Sequence, residues 1–247
     1  MKKDESVFMF PDTNSSRAQI EFLNRKFKTQ KVAIIGLGGT GSYILDLISK
    51  TPVKEIHLYD GDSFEVHNAF RAPGAAPAEA FSEEEPIKKV EYYFKVYSKM
   101  HKQVFPNAYN ITEDNIGVLK GMDFVFISID KNDSRVMITQ ALVSLGVTFI
   151  DVGLGVKMVE DHLIATMRVT VGSQLKNDHL QTSFGSEEVG NNEYSTNIQI
   201  ADLNCMNAVL AVIKWKKITG FYQDLKQEHN IDYLLITNKL MNGDLTA

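Results

Sequence analysis

The chain has 247 residues, of which 44% are hydrophobic and 23% are charged, which is long enough to bury the core of one large α/β domain. A formal net charge of −5 and the lack of a lysine- or arginine-rich run exclude a general affinity for nucleic acid or for an anionic membrane surface. The single cysteine, Cys205, excludes an intramolecular disulfide and a zinc site built from cysteine pairs.

The N-terminal residues carry lysines and then acidic and polar side chains, which is not the pattern of a secretory signal. No stretch approaches the roughly 18 consecutive apolar residues of a membrane-spanning helix. Together with the lone thiol, these features predict a cytoplasmic protein without a membrane or nucleic-acid partner. Residues 1–30 are expected to form an N-terminal helical segment.

Apolar runs without strict alternation predict buried parallel strands, because both faces of such a sheet are covered. These runs are KVAIIG (31–36), EIHLYD (55–60), DFVFISID (123–130) and VTFID (147–151), with a shorter strand expected near 107–111. Helical patterns lie between them at 40–50, 86–102 and 133–145. This β–α–β spacing predicts a doubly wound, mostly parallel, Rossmann-like α/β sheet.

The second half of the chain departs from a plain dinucleotide-binding fold. Residues 152–160 and 163–171 alternate more clearly and predict an antiparallel hairpin that extends the sheet. Long loops are expected at 72–86 and 172–197. A long late helix is predicted at 198–220, closed by Gly220. No internal repeat or low-complexity tract is present, so residues 1–247 are interpreted as a single domain.

A glycine turn, GLGGTG, joins the first predicted strand to the first predicted helix and contains Gly36, Gly38, Gly39 and Gly41. A strand, a glycine turn and a helix start in this order form a seat for nucleotide phosphates. Gly39 and Gly41 could alternatively serve only to let the helix approach the strand. Asp60 stands 24 residues after Gly36, where an acid binds a ribose hydroxyl, so these features alone also fit an NAD(P)-dependent oxidoreductase.

The stretch DGDSFEVHNAFR places Asp60, Asp62, Asn68 and Arg71 in one loop at the carboxyl end of a strand, where open α/β sheets bind ligands. A dehydrogenase needs only the first of these acids. An amide and a guanidinium over the same crevice suit a ligand with several charged phosphates. Asp62 could equally cap its own loop.

With these motifs the chain resembles the ThiF/MoeB/HesA family, the bacterial relatives of ubiquitin-activating enzymes. The family pattern is GxGGxG, then DxDxVxxxNxxR, a lysine on the next helix and an aspartate after a later strand. The corresponding residues here are GLGGTG, DGDSFEVHNAFR, Lys88 or Lys89 in PIKKVEYY, and Asp130 in SIDK. The resemblance is specific over residues 31–151 and looser over 198–220.

The resemblance implies an adenylyltransferase that uses ATP and Mg²⁺ to activate the C-terminal carboxylate of a small ubiquitin-like or sulfur-carrier protein, with release of pyrophosphate. An ionised carboxylate attacks the α-phosphorus, so positioning and charge neutralisation matter more than a general base. A homodimer is also expected. Arg17 resembles a family arginine that reaches across the dimer, although an ordinary surface arginine is the alternative.

The family roles transfer to this chain residue by residue. The resemblance implies a catalytic set of Arg71, Lys89 and Asp130, with Asp130 as the Mg²⁺ ligand. Asp60 would hold the ribose. The implied nucleotide-binding set is Gly36, Gly38, Gly39, Gly41, Asp60, Asp62, Asn68, Arg71 and Lys89. Of the two adjacent lysines, Lys89 is preferred because only one can face the crevice.

Some features depart from the family pattern. Lys131 stands where asparagine often follows the metal-binding aspartate, and Ala72 replaces a glutamine, so the details of phosphate binding are open. The cysteine pairs of zinc-containing relatives are absent, so no structural zinc is expected. Arg135 could simply pair with Asp133 or Asp130.

Cys205 lies inside an apolar helical pattern and is interpreted as a buried structural thiol, so the reaction would stop at the adenylate or pass it to an external nucleophile. A non-catalytic partner subunit of an activating enzyme remains an alternative. The presence of Arg71, a lysine and Asp130 argues against it.

Overall fold

An eight-stranded mixed sheet organises the computed structural model, which describes residues 6–82, 84–180 and 198–245. The strands are β1 (Lys31–Ile35), β2 (Glu55–Tyr59), β3 (Val104–Asn107), β4 (Phe124–Ile127), β5 (Thr148–Val159), β6 (His162–Gly172), β7 (Glu228–Leu234) and β8 (Lys239–Leu245). Their order across the sheet is β3-β2-β1-β4-β5-β6-β7-β8.

The described helices cover the two faces of this sheet. They are α1 (Thr13–Arg17), α2 (Glu21–Asn24), α3 (Gly39–Ile48), α4 (Val66–Ala69), α5 (Lys89–Tyr97), α6 (Asn132–Leu145) and α7 (Ala201–Ile218). Short 3₁₀ turns lie at Ala78–Ala80, Ile116–Leu119 and Leu235–Thr237. None of the helices in these described ranges has the length and apolarity that a bilayer-crossing segment requires.

Strands β1 to β5 are paired in parallel, which confirms the predicted doubly wound sheet. All four residues of β4 are buried, as expected for a strand covered on both faces. The chain passes outward from β1 to β2 and β3 and then returns to place β4 on the other side of β1. The point between β1 and β4 is therefore the topological switch point at which such sheets bind ligands.

Strand β5 differs from the prediction, because the two strands expected at 147–151 and 152–160 form one continuous strand of 12 residues. Its first residues pair in parallel with β4, and residues 149–159 pair antiparallel with β6. Residues 149–152 of β5 are buried, whereas the residues after Val152 are partly buried or exposed. The exposure increases there because β5 extends past the end of its neighbour β4, which no longer covers it.

Other boundaries also shift. The strand expected near 107–111 is β3, which ends at Asn107, and the helix expected at 86–102 is α5.

The hairpin of β7 and β8 was not predicted, because its strands carry many polar residues. The N-terminal segment forms two short helices, α1 and α2. The loop at 72–86 contains one 3₁₀ turn. In the loop predicted at 172–197, residues 181–197 lie outside the described part of the chain.

The late helix α7 ends within two residues of the predicted boundary. Gly220 has a φ of +73°, and its N–H donates to the Lys217 carbonyl, while the Phe221 N–H donates to the Lys216 carbonyl. This pair of hydrogen bonds is a Schellman motif, for which glycine is the preferred residue at the left-handed position.

Trp215 on α7 joins the N-terminal segment to the core. Its side chain is fully buried, stacks on Phe27 with 4.7 Å between ring centroids, and donates from Nε1 to Gln30 Oε1 at 3.1 Å. A large aromatic side chain buried in this way contributes strongly to stability.

We expect Trp215→Ala to lower the free energy of unfolding by about 3 to 5 kcal/mol, because it removes a large buried side chain. Urea denaturation followed by circular dichroism measures this loss. Ile213→Ala on the same helix is the control, since Ile213 is 40% exposed. A similar loss for the two variants would show that the Trp215 contacts do not anchor this segment.

Candidate active site

A cleft of about 1870 Å³ lies at the carboxyl ends of the parallel strands. Several predicted site residues line it, namely Gly36, Gly38, Gly39, Asp60, Asp62, Arg71, Lys89 and Asp130. They come from the β1–α3 turn, the loop after β2, the start of α5 and the loop after β4. Gly41 and Asn68 are not among the lining residues. The structure thus brings together side chains from distant parts of the sequence.

Two of the predicted glycines are required by the packing of the chain itself. Gly36 has a φ of +85°, and a Cβ there would lie 2.1 Å from the Ser128 carbonyl oxygen. A Cβ on Gly41 would lie 1.9 Å from the Gly36 carbonyl oxygen. Gly41 therefore has the structural role that the sequence left open, since it lets α3 approach the end of β1.

Gly38 is different, because an added Cβ there would meet no heavy atom within 4 Å. Gly38 is the N-cap residue of α3 and has no side chain to accept from the first N–H groups of that helix. Such groups at a helix N-terminus attract anions. The open space at Gly38 therefore fits a phosphate group better than it fits any requirement of the protein core.

Gly39 packs against the late helix α7. A Cβ on Gly39 would lie 2.1 Å from Asn204 Nδ2, and Asn204 Oδ1 accepts from Thr40 Oγ1 at 3.0 Å. Asn204 is 1% exposed and also lines the cleft. No sequence motif marks this asparagine, which stands within an apolar helical pattern. Its contacts tie the glycine turn to α7.

Asp60 holds the glycine turn in place from the end of β2. Its Oδ2 accepts from the Leu37 N–H at 2.7 Å, its Oδ1 accepts from the Asp62 N–H at 2.9 Å, and its side chain is buried. A carboxylate offers about four acceptor positions, so each oxygen retains capacity for one more donor such as a ribose hydroxyl. Binding of a ribose by Asp60 remains a prediction.

The structure places Lys89, rather than Lys88, in the cleft lining. Lys89 Nζ lies 2.9 Å from Asp62 Oδ2 and 3.7 Å from Asp60 Oδ1, and the residue is 7% exposed. Lys88 Nζ instead donates to the Gly61 carbonyl at 2.7 Å. The hydrogen bond from Lys89 is the main reason that the pKa of the Asp62 carboxyl lies below its usual value. Two acids therefore orient Lys89 in the cleft.

Asn68 lies in the short helix α4 after β2, and Arg71 follows the end of that helix. Asn68 is buried and accepts from the Glu65 N–H at 2.8 Å as part of a capping box on α4. Among the residues that the structure describes, Asn68 Nδ2 and Arg71 Nε are buried without a hydrogen-bond partner. A buried donor without a partner costs about 1 to 3 kcal/mol. Arg71 also lines the cleft, where its guanidinium can meet an anionic ligand.

Asp130 is exposed in the loop between β4 and α6 and lines the same cleft. Across residues 6–82, 84–180 and 198–245, no group of three His, Cys, Asp or Glu side chains could hold a metal ion. Mg²⁺ on a nucleotide needs no such group, because it is bound through one or two carboxylates together with phosphate oxygens and water. The donor set therefore fits a nucleotide-bound Mg²⁺.

A buried ion cluster that the sequence did not predict lies beside Asp130. Arg135 was expected to pair with Asp133 or Asp130, but the structure also places its Nε 3.2 Å from Asp151 Oδ1. Arg168 Nη2 donates to Asp151 Oδ2 at 3.1 Å. Asp151 could have been singled out from the sequence, because it is an acid at the end of the apolar run VTFID, at the ligand-binding edge of the sheet.

Cys205 is half-buried on α7, so the prediction of a buried thiol was wrong in degree. Burial raises the pKa of the thiol, and the nearby carboxylates of Asp46 and Asp202 raise it further. A thiolate is the nucleophilic form of cysteine. The surroundings of Cys205 therefore oppose the formation of a thioester.

The rate of Cys205 alkylation by iodoacetamide is expected to rise at higher pH than that of glutathione, because a raised pKa delays thiolate formation. Mass spectrometry over a series of pH values measures this profile without ambiguity, since Cys205 is the only cysteine. Protein unfolded in urea is the control and should react over the range of a free thiol, near pH 8.5. A profile shifted to lower pH than that of glutathione would contradict the prediction and reopen a thioester step.

Comparison with known proteins identifies a matching family and several related sequences. The ThiF family model matches residues 15–228. Ubiquitin-like modifier-activating enzyme 5 of Mus musculus is 24% identical over 152 residues, which cover 56% of this chain and 37% of the relative. Adenylyltransferase and sulfurtransferase UBA4 of Candida albicans is 29% identical over 147 residues, which cover 60% of this chain and 32% of the relative. The chain thus matches about a third of the length of these relatives.

A solved structure shares the fold over almost the whole chain. The crystal structure of E. coli MccB with ATP superposes with a TM-score of 0.68 at 20% sequence identity, covering 96% of this chain and 72% of MccB. At this identity the likeness shows the fold alone. Because the family model spans residues 15–228, the chain belongs to the ThiF family.

Proposed function

We propose that this protein is an adenylyltransferase that activates the C-terminal carboxylate of a small ubiquitin-like or sulfur-carrier protein with ATP and Mg²⁺, releasing pyrophosphate. The observation that carries the proposal is the assembly in one cleft of the glycine turn, Asp60, Arg71, Lys89 and Asp130. Membership of the ThiF family and relatives named as activating enzymes and adenylyltransferases support it. We further propose a cytoplasmic homodimer of single-domain subunits without structural zinc.

Different residues of the cleft would bind different parts of the nucleotide. Amide groups of the glycine turn and of the α3 N-terminus would receive phosphate oxygens at the open space beside Gly38. The guanidinium of Arg71, which lines the cleft, would bind oxygens of the triphosphate. Asp60 would orient the ribose. Asp130 would hold Mg²⁺, which supplies charge neutralisation on the phosphates when it is bound.

The proposed chemistry needs no general base. An ionised carboxylate oxygen of the substrate forms a bond to the α-phosphorus, and the bond from that phosphorus to the oxygen bridging to the β-phosphorus breaks. The electron pair leaves with pyrophosphate, and no proton is transferred. Lys89 and Arg71 would offset the negative charge that grows on the departing group. Asp62 and Asp60 hold Lys89 in position before the nucleotide arrives, so little reorganisation is needed.

An ATP–pyrophosphate exchange assay tests the proposal. The purified protein should incorporate labelled pyrophosphate into ATP only when a carrier protein with a free C-terminal tail is added. The same carrier with an amidated C-terminus is the matched control, because it offers no carboxylate. Absence of exchange with every small carrier protein encoded near this chain would count heavily against the proposal.

Two alternatives give different results in nucleotide-binding measurements. Tight binding of NADH without binding of ATP would indicate an NAD(P)-dependent oxidoreductase, for which Asp60 alone would suffice. Weak ATP binding together with an obligate second chain would indicate a non-catalytic partner subunit. The positions of Arg71, Lys89 and Asp130 in the cleft favour the adenylyltransferase, because neither alternative requires all three.

A further inference from the structure

Arg135 is a buried cation at the start of α6 that contacts the backbone next to Asp130. It is 5% exposed, and its Nη2 donates to the Ile129 carbonyl at 2.8 Å. Ile129 immediately precedes Asp130, which is itself exposed. One hydrogen bond therefore links a fixed interior side chain to the loop that carries the proposed metal-binding carboxylate.

Asp151 anchors Arg135 from the neighbouring strand. Asp151 is completely buried in β5, and its Oδ1 lies 3.2 Å from Arg135 Nε. Arg168 on β6 donates to Asp151 Oδ2 at 3.1 Å. Each oxygen of this carboxylate thus faces an arginine from a different element. Breaking a buried pair of this kind leaves a charge without its partner, so the arrangement is held firmly.

The loop after β4 is already fixed at its first residue. The Ser128 N–H donates to the Ile35 carbonyl at 2.8 Å, which continues the pairing of β4 with β1. At the other end, the Arg135 N–H donates to the Lys131 carbonyl at 3.0 Å as α6 begins. The hydrogen bond from Arg135 to Ile129 lies between these two attachments and adjoins Asp130.

We propose that Arg135 is a positioning residue, which holds the loop at residues 128–131 so that Asp130 faces the bound nucleotide, with Asp151 and Arg168 as its buried support. The inference rests on the proposed function in one respect, since it takes Asp130 to be the Mg²⁺ ligand. Side chains that orient a metal ligand are often as important as the ligand itself. The alternative is a cluster that only stabilises the junction of β4, β5 and α6.

Hydrogen exchange in the ligand-free protein tests the positioning without any metal. Arg135→Lys keeps the positive charge but cannot reach the Ile129 carbonyl and Asp151 together with the same geometry. Amides of residues 128–131 should exchange faster in this variant, while those of β4 remain protected. Gln140→Ala, at an exposed position of the same helix, is the control and should leave both unchanged. Unchanged exchange at 128–131 in Arg135→Lys would overturn the inference.

A double-mutant cycle on ATP affinity tests the link to Asp130. Isothermal titration calorimetry with ATP is carried out once with Mg²⁺ and once with EDTA. Arg135→Lys should reduce the Mg²⁺-dependent gain in affinity by about 10- to 100-fold and leave the affinity in EDTA unchanged. Adding it to Asp130→Asn should cause no further loss, because the two residues act through the same contact. Additive losses would show a purely structural role and overturn the inference.

A second variant covers the case in which Arg135→Lys does not fold. Asp151→Asn keeps the size of the side chain and removes its charge, and it should give the same pattern in both experiments. Failure of the proposed function has a separate signature. If Mg²⁺ does not raise the ATP affinity of the wild-type protein, Asp130 is not a metal ligand, and both the proposed function and the positioning role of Arg135 are contradicted. If Mg²⁺ raises the affinity but the losses in the cycle are additive, only the positioning role of Arg135 is contradicted.

Discussion

Lys89→Ala is expected to lower the rate of ATP–pyrophosphate exchange by about 10²- to 10³-fold, as is typical when one pre-oriented group that stabilises transition-state charge is removed. The lysine lies 2.9 Å from Asp62 and 3.7 Å from Asp60. Without it, the carboxylates of Asp60 and Asp62 face the cleft without the cation that they orient, and the charge on the leaving pyrophosphate is offset less well. The loss should fall mainly on kcat, because the charge grows during the reaction.

Lys88→Ala is the matched control for this prediction. Lys88 adjoins Lys89 in the sequence, but its Nζ donates to the Gly61 carbonyl and the residue does not line the cleft. Exchange by Lys88→Ala should stay within about threefold of the wild type, since Lys88 bonds to the backbone outside the cleft lining and does not face the reacting groups. Equal losses in the two variants, with unchanged circular dichroism, would show that Lys89 has no special role.

The second large effect is expected at Arg71. Arg71→Ala should reduce exchange by about 10²- to 10³-fold, since it removes a cation and a donor from the triphosphate site. Arg71→Lys should recover only part of this loss, because lysine keeps the charge but cannot bind two oxygens side by side. Steady-state exchange at several ATP concentrations separates KM from kcat.

Arg25→Lys is the control for the Arg71 series, because Arg25 is an exposed arginine outside the cleft lining. It should exchange pyrophosphate at the wild-type rate. Full activity of Arg71→Lys would mean that only charge matters at this position. Full activity of Arg71→Ala would contradict the proposed triphosphate contact altogether.

Local patterns predicted much of the parallel half of the sheet. The runs around β1, β2 and β4 are mainly apolar without strict alternation, and such runs mark strands that are covered on both faces whatever their neighbours are. The glycine turn was equally clear, because the positive φ of Gly36 and the close approach at Gly41 impose glycine locally. These features depend on residues close together in sequence.

The antiparallel part of the sheet was less predictable. β5 was divided into two strands, because the burial of its residues changes where β4 ends, and the end of a neighbouring strand is not visible in the sequence of β5. The hairpin of β7 and β8 was missed, because its strands contain many polar residues that leave no clear alternation. Their pairing with β6 decides that they are strands.

Local motifs predicted the glycine turn, the succession of parallel strands along the chain and the residues that would line the cleft, because Asp60, Arg71 and Asp130 each follow a recognisable strand. The order of the strands in the sheet, the entry of Lys89 rather than Lys88 into the cleft and the contact of Arg135 with Asp151 became visible only in the folded protein. These outcomes depend on helix rotation and on the register between strands. Helix rotation and strand register are set by the packing of residues far apart in sequence, so they cannot be predicted from a local pattern.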